Sequence, residues 1–137
     1  MSWNSTIAEY DSSRKVAAKH FINRKGDIIE ISSGSLIVKS IICKFSQDFG
    51  EDVAVLVSNV LTHYDIDPRS RTVLKEFSPL HCFQLKAKAG DKAVFDVDNS
   101  VCIKYCEVDE ITFQLMTLSK RKIDVNFSVH FFYNLNN

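Results

Sequence analysis

The stretch that decides the fold runs from Cys82 to Tyr133, CFQLKAKAGDKAVFDVDNSVCIKYCEVDEITFQLMTLSKRKIDVNFSVHFFY. Its apolar residues fall at alternate positions. Phe83, Leu85 and Ala87 alternate with Gln84, Lys86 and Lys88, a turn is predicted at Ala89-Gly90-Asp91-Lys92, and Phe95 and Val97 then alternate with Asp96 and Asp98. Val101, Ile103 and Tyr105 stand opposite Cys102, Lys104 and Cys106, and Ile111, Phe113 and Leu115 opposite Thr112 and Gln114. After the polar loop Ser119 to Lys122, the residues Val125, Phe127, Val129, Phe131 and Tyr133 oppose Asn126, Ser128 and His130. Successive side chains of a strand point to opposite faces, so a period of two marks strands with one buried face.

Upstream, the chain reads as short extended pieces from Lys19 to Asn23, Ile28 to Ile31 and Leu36 to Phe45, the last apolar on both faces in parts. Glu51 to Tyr64 stands out, because Val53, Leu56, Val57, Val60, Leu61 and Tyr64 recur at steps of three and four behind two carboxylates. That spacing predicts one short helix, although its valines favour a strand. Residues 1–13 are polar apart from Trp3, Ile7 and Tyr10, as in a flexible N-terminal arm ordered only by a partner or by packing across the domain. The expected fold is all-β: a single-domain antiparallel β-sandwich over residues 14–137, jelly-roll-like, with one short helix.

Composition narrows the functional classes. A chain of 137 residues with 45% apolar and 25% charged residues is sized to bury one core without disulfides or metal. Lys plus Arg and Asp plus Glu are 17 each, so the basic footprint of a dedicated nucleic-acid or membrane-surface protein is missing, and nucleic acid is not an expected partner. Cys43, Cys82, Cys102 and Cys106 form no CxxC pair and follow no apolar leader, which predicts reduced thiols in a protein made in the cytoplasm. No window approaches the ~18 apolar residues of a membrane span. Asn4-Ser5-Thr6 and Asn126-Phe127-Ser128 match the glycosylation pattern, which has no consequence without secretion.

The candidate chemical groups each have a plainer explanation. Cys102 and Cys106 on one strand would lie ~13 Å apart at ~3.3 Å per residue, too far to share one zinc ion. The neighbours His81 and Cys82 would point to opposite faces, which does not join a thiol to its base. Asp65 with Asp67 and Asp96 with Asp98 pair carboxylates but lack an EF-hand loop or companion His, and Pro68 makes the first pair a turn. The runs Lys120-Arg121-Lys122, Arg69 with Arg71, and Arg24-Lys25 suit solvated turns, or contact with phosphate or an acidic partner. No GxGxxG, GxxxxGK, GxSxG or HExxH occurs, so no cofactor or metal is expected and no catalytic set emerges.

The segment Val108-Asp109-Glu110-Ile111-Thr112-Phe113-Gln114-Leu115, with Ile123-Asp124-Val125-Asn126-Phe127-Ser128-Val129-His130-Phe131 after a short loop, resembles the closing hairpin of small virion β-sandwich proteins. These are the penton-like and minor capsid proteins of Polinton-like (Maverick, adintovirus) DNA viruses. The loop departs from that pattern, carrying Lys120-Arg121-Lys122 where the family more often has a Gly- or Asn-containing turn. The resemblance implies a jelly-roll that assembles symmetrically in the virion with copies of itself and other capsid proteins, and performs no chemistry. A TNF-like or lectin-like module acting on a receptor or glycan, and a small enzyme whose residues converge only in space, stay open as alternatives. Ten Phe exceed what one small core needs, so self-association is expected. Its candidate contacts are Trp3, Ile7 and Tyr10 of the arm, Lys120, Arg121 and Lys122 at the loop, and His130 and Phe132 on the last strand.

Overall fold

A computed structural model describes residues 3–11, 17–22, 27–66, 68–71, 73–103, 105–118, 123 and 125–136. The described residues are strand and loop throughout, with no helix. The strands are β1 (Asn4–Asp11), β2 (Ala17–Phe21), β3 (Ile29–Ile31), β4 (Ser33–Lys44), β5 (Phe49–Ile66), β6 (Val73–Ala87), β7 (Lys92–Ile103), β8 (Cys106–Val108), β9 (Glu110–Thr117) and β10 (Asn126–Asn136). Eight of them form one antiparallel sheet in the order β6-β5-β9-β2-β1-β10-β4-β7, and β3 pairs with β8 alone.

That sheet is one surface curled over a core, and β1 is where it turns. Asn4 to Ala8 pair with Tyr133 to Val129 of β10, whereas Glu9 to Asp11 pair with Lys19 to Ala17 of β2. One strand thus joins the half β1-β10-β4-β7 to the half β2-β9-β5-β6. The two outer edges meet through side chains: the Phe83 ring of β6 lies 4.6 Å from the Phe95 ring of β7, and the Asn99 side-chain amide donates to the Leu80 carbonyl. Inside, Phe113, Phe127 and Phe131 are fully buried among Leu36, Ile41, Leu56, Leu85, Ile111 and Leu115. Phe113 and Phe131 meet edge-on across the core at 5.0 Å and 63°. Ile31 of β3 is fully buried, and Cys106 and Val108 of β8 pack on the same core.

The alternation read from the sequence is realised in β9 and β10, where Ile111, Phe113, Leu115, Phe127, Val129 and Phe131 all face inward. Four expectations are corrected. Glu51 to Tyr64 is not a helix but lies in β5. Ala54, Val55, Leu56, Val57 and Ser58 are all buried, so this strand is covered on both faces, and a fully apolar strand also satisfies a helical template. The β-branched valines, stiff at χ1, favour the extended state. Residues 4–11 of the expected arm are a sheet strand with Ala8 fully buried: Asn4–Ala8 pair with β10 along one edge and Glu9–Asp11 with β2 along the other, backbone bonds that do not depend on its mostly polar side chains. The period breaks after Ile103: Tyr105 is exposed and Cys106 turns to the core, so Cys102 and Cys106 lie on separate strands. Finally, β9 and β10 are not a hairpin. They are separated in the sheet by β2 and β1, and their connection crosses from one half to the other.

Local devices hold the irregular points. Where β5 leaves its ladder with β9 after Ser58, the Asn59 amide substitutes for a rung, its Nδ2 donating to the Glu110 carbonyl at 2.8 Å and its Oδ1 accepting from the Thr112 N–H at 2.9 Å. Beside the β-bulge between Val38 and Ser40, Asp98 takes φ 45°, a left-handed conformation that Asp tolerates better than most residues. Gly34 lets β4 approach β10, since a Cβ there would stand 2.5 Å from the Asn134 carbonyl oxygen.

The inward register of β10 is directly testable. Phe127→Ala and Phe131→Ala each remove a fully buried ring and should cost about 3–5 kcal/mol, a large part of the ~5–15 kcal/mol that holds a domain. His130→Ser, on the other side of the strand, should cost much less. Urea midpoints measured side by side separate the two, and equal small shifts would refute the register.

Candidate functional site

Because β1, β10, β4 and β7 each bury one face, their other faces form a continuous outer surface whose composition follows from the register. One rung across it reads Ile7, His130, Ser40 and Asp96, and the next Ser5, Phe132, Ile37 and Ser100. A third reads Ser128, Ile42 and Val94. The surface is apolar where an ordinary solvated face is charged: Ile7 is 51% exposed, Val94 59%, and Trp3, in step with Ser5 and Ile7, 48%, while Ile37, Ile42 and Phe132 are half-buried. Charge lies at its margins, in Glu9, Lys44, Lys92, Asp96 and the exposed ion pair of Lys39 with Asp98 at 2.8 Å. An uncharged centre with a charged rim is the pattern of a protein interface.

His130 sits in the middle of this surface. Its Nε2 lies 3.2 Å from the Ser5 hydroxyl, and its ring packs at 5.3 Å against Phe132. Of the contact residues expected from the sequence, Trp3, Ile7, His130 and Phe132 are brought together here. Tyr10 is not, since it turns inward and packs at 6.3 Å on Phe127. Lys120, Arg121 and Lys122 lie outside the described residues. Sequence analysis missed Ile37, Ile42 and Val94. The sign of the first two was the apolar character of both faces of the Leu36 to Phe45 piece.

The remaining chemical groups are scattered. The four cysteines are free thiols; burial pushes Cys43 up to about 12 and raises Cys106, which keeps both protonated and unreactive. His81 stacks on Phe83 at 6.1 Å while Cys82 is exposed on the other side of the strand. Among the described residues no group of three or more His, Cys, Asp or Glu side chains is placed to hold a metal ion. Tyr105 donates to the Glu107 carboxylate at 2.7 Å, and that bond with the two nearby carboxylates Glu107 and Glu30 pushes its phenol up to about 12. A cleft of about 250 Å³ opens where β1 parts from β10, between Glu9 and Tyr10 on one side and Lys44, Asn126, Phe127 and Ser128 on the other.

One polar cluster is internal. His20 of β2 reaches beneath β1, its Nδ1 3.4 Å from the Thr6 hydroxyl and its Nε2 3.3 Å from the Tyr133 hydroxyl, with Phe131 edge-on at 6.0 Å. Both ring nitrogens have hydroxyl partners, which suits a neutral imidazole in either tautomer. Burial lowers the His20 pKa from its ordinary value and raises that of Tyr133.

No family model matches the chain, and no curated protein matches it. Among solved structures it is similar to the core of Drosophila NLP, described for its pentamer formation and histone binding, at 15% identity and a TM-score of 0.39 over 98% of this chain and 99% of that one. No described helix is long and apolar enough to cross a membrane.

The lowered pKa of His20 fixes a sign. The unfolded chain takes up this proton as pH falls through about 6.5 and the folded chain only further down, so stability decreases from there to the folded pKa and the full penalty remains below it. His20→Gln should therefore flatten the fall in urea midpoint between pH 7.5 and pH 5. An unchanged pH dependence would show that burial of His20 contributes nothing.

Proposed function

We propose that this chain is a non-enzymatic structural protein of a virus particle: a single jelly-roll-like β-sandwich unit, of the penton-like or minor capsid kind, that self-assembles symmetrically and contacts other capsid proteins. It would be made in the host cytoplasm and act in the virion. The observation that carries this is the outer face of β1-β10-β4-β7, an apolar surface with an uncharged centre. Water contact with Trp3, Ile7, Phe132, Ile37, Ile42 and Val94 is unfavourable, and a second protein surface removes it. The curled sheet supports the sandwich assignment, because the crossing connection from β9 to β10 and the shared β1 place one half of the sheet over the other around a common core. The sequence pattern of residues 108–131, though not the hairpin pairing it implied, resembles that of virion sandwich proteins and suggests the kind of assembly. Closed symmetric oligomers are the usual outcome when one patch recurs on identical subunits.

A buried carboxylate introduced at the centre of such a patch opposes association without disturbing the core beneath. Ile7→Asp and Phe132→Asp should each shift the protein to monomer in sedimentation velocity at micromolar concentration, with the far-UV circular dichroism of the wild type retained. A wild-type protein that is itself monomeric under those conditions would contradict the assignment, as would variants that associate normally.

A further inference from the structure

We propose that the two-stranded arm formed by β5 and β6 exchanges between two copies of the chain, giving a domain-swapped dimer in which each arm lies on the body of its partner. The partner is a second copy, and the contact does not involve the outer face. The basis is how the four strands β4 to β7 are joined. β4 pairs with β7 in one half of the sheet, and β5 with β6 in the other. Lys44 faces Lys92 at the end of the first ladder, and Phe49 faces Ala87 at the start of the second. From Phe45 to Asp48 on one side and Lys88 to Asp91 on the other, the two connections run side by side and are equally long, so the register passes through unbroken. Rungs continue across them too. The Phe45 N–H donates to the Asp91 carbonyl at 3.0 Å, the Gly90 N–H to the Phe45 carbonyl at 2.8 Å, and the Ala89 N–H to the Asp48 carboxylate at 2.8 Å. β4–β5 and β6–β7 are therefore one long antiparallel ribbon, folded over at a corner.

Straightening such a ribbon need not break its rungs, and straightening is what exchange requires. Among the described residues, the arm is tied to the rest of its own chain by the ladder of Ala54–Ser58 with β9 and by the Asn59 amide on Glu110 and Thr112. The Phe83 ring on Phe95, the Asn99 amide on the Leu80 carbonyl, and the packing of Leu56, Leu80 and Leu85 in the core complete the attachment. β6 and β7 meet through side chains alone, so no backbone ladder closes the seam that the arm would leave. A second copy offers every one of these partners again, and two arms exchanged about a twofold axis close the assembly. The two states differ at the corner. There Phe45 meets Phe49 edge-on at 5.6 Å, and Gly90 takes φ 92°, a left-handed conformation that the bend uses and an extended strand does not. The ring contact and the freedom of a single chain favour the folded ribbon, so the dimer forms on refolding at high concentration and the monomer at low.

Cross-linking tests this in a chain carrying Ile7→Asp, which removes association through the outer face, and Cys82→Ser and Cys102→Ser, which remove the exposed thiols. Val57 of β5 and Gln114 of β9 face each other in the ladder, at a spacing a disulfide can bridge. Chains with Val57→Cys and chains with Gln114→Cys are mixed, refolded from urea and oxidised, with circular dichroism confirming the fold. Exchange predicts a 57–114 disulfide between the two chains, identified by peptide mass, after refolding at millimolar concentration and not at micromolar. One chain carrying both substitutions, refolded dilute, should close the disulfide within itself; if it does not, β5 and β9 are not neighbours and the proposal falls with them. Gly90→Ala strains the bend and not the straight ribbon, so it should raise the linked fraction at least about fivefold. Mixed chains that stay unlinked at every concentration would overturn the exchange, as would a Gly90→Ala chain that links no more than its parent. Because Ile7→Asp is present throughout, that failure would leave association through the outer face untouched.

Discussion

Pairing of β1 on both of its edges is the constraint on which the rest of the fold depends. β1 pairs with β10 through Asn4–Ala8 along one edge and with β2 through Glu9–Asp11 along the other, so it hands the ladder from one half of the sheet to the other. The ladder is therefore continuous from β6 to β7, and the sheet can curl without breaking into two unpaired edges. Curling sets Phe113 of β9 against Phe131 of β10, strands that share no backbone bond and touch only through the core. Without β1 the ladder would lose its middle, and this aromatic contact would have no scaffold to hold its two rings in register.

The same strand links the interior to the outer surface. Thr6 points in toward His20, and Ile7, the next residue, points out beside His130. Two histidines thus lie on opposite sides of the sheet within one strand of each other, in unlike surroundings. His20 is sheltered between hydroxyls and aromatic rings, and its desolvation tilts the fold against acid. His130 lies on the apolar outer face, with Phe132 against its ring and Ile7 beside it.

Much of this architecture was legible in the sequence wherever a strand has one wet face. The alternation of Phe83, Leu85 and Ala87, of Ile111, Phe113 and Leu115, and of Val125, Phe127, Val129 and Phe131 was read in the register the structure adopts. It failed where burial departs from that rule. β5 is covered on both sides from Ala54 to Ser58, so its run of apolar residues matched a helix, and only the valines argued otherwise. β1 is mostly polar, and although β2 is close in the chain, its other partner, β10, lies more than a hundred residues away, which local pattern does not report. The connection after Leu115 looked like a hairpin because a short polar loop joins two strands, but no local signal distinguishes that from a crossing between halves. The outer face was half visible: Ile7, His130 and Phe132 were singled out, while Ile37 and Ile42 were apparent only as an excess of apolar residues in β4.

The central claim, that β1 is an integral strand joining both halves, is tested most directly by native-state hydrogen exchange of its amides. If β1 closes the ladder, the protected amides between Thr6 and Tyr10 should open only with global unfolding, showing the same free energy and the same denaturant dependence as the protected amides of β9 and β10. Exchange of the whole of β1 at the rate of a frayed terminus, while β9 and β10 stay protected, would contradict the account, because the two halves would then be held together without it.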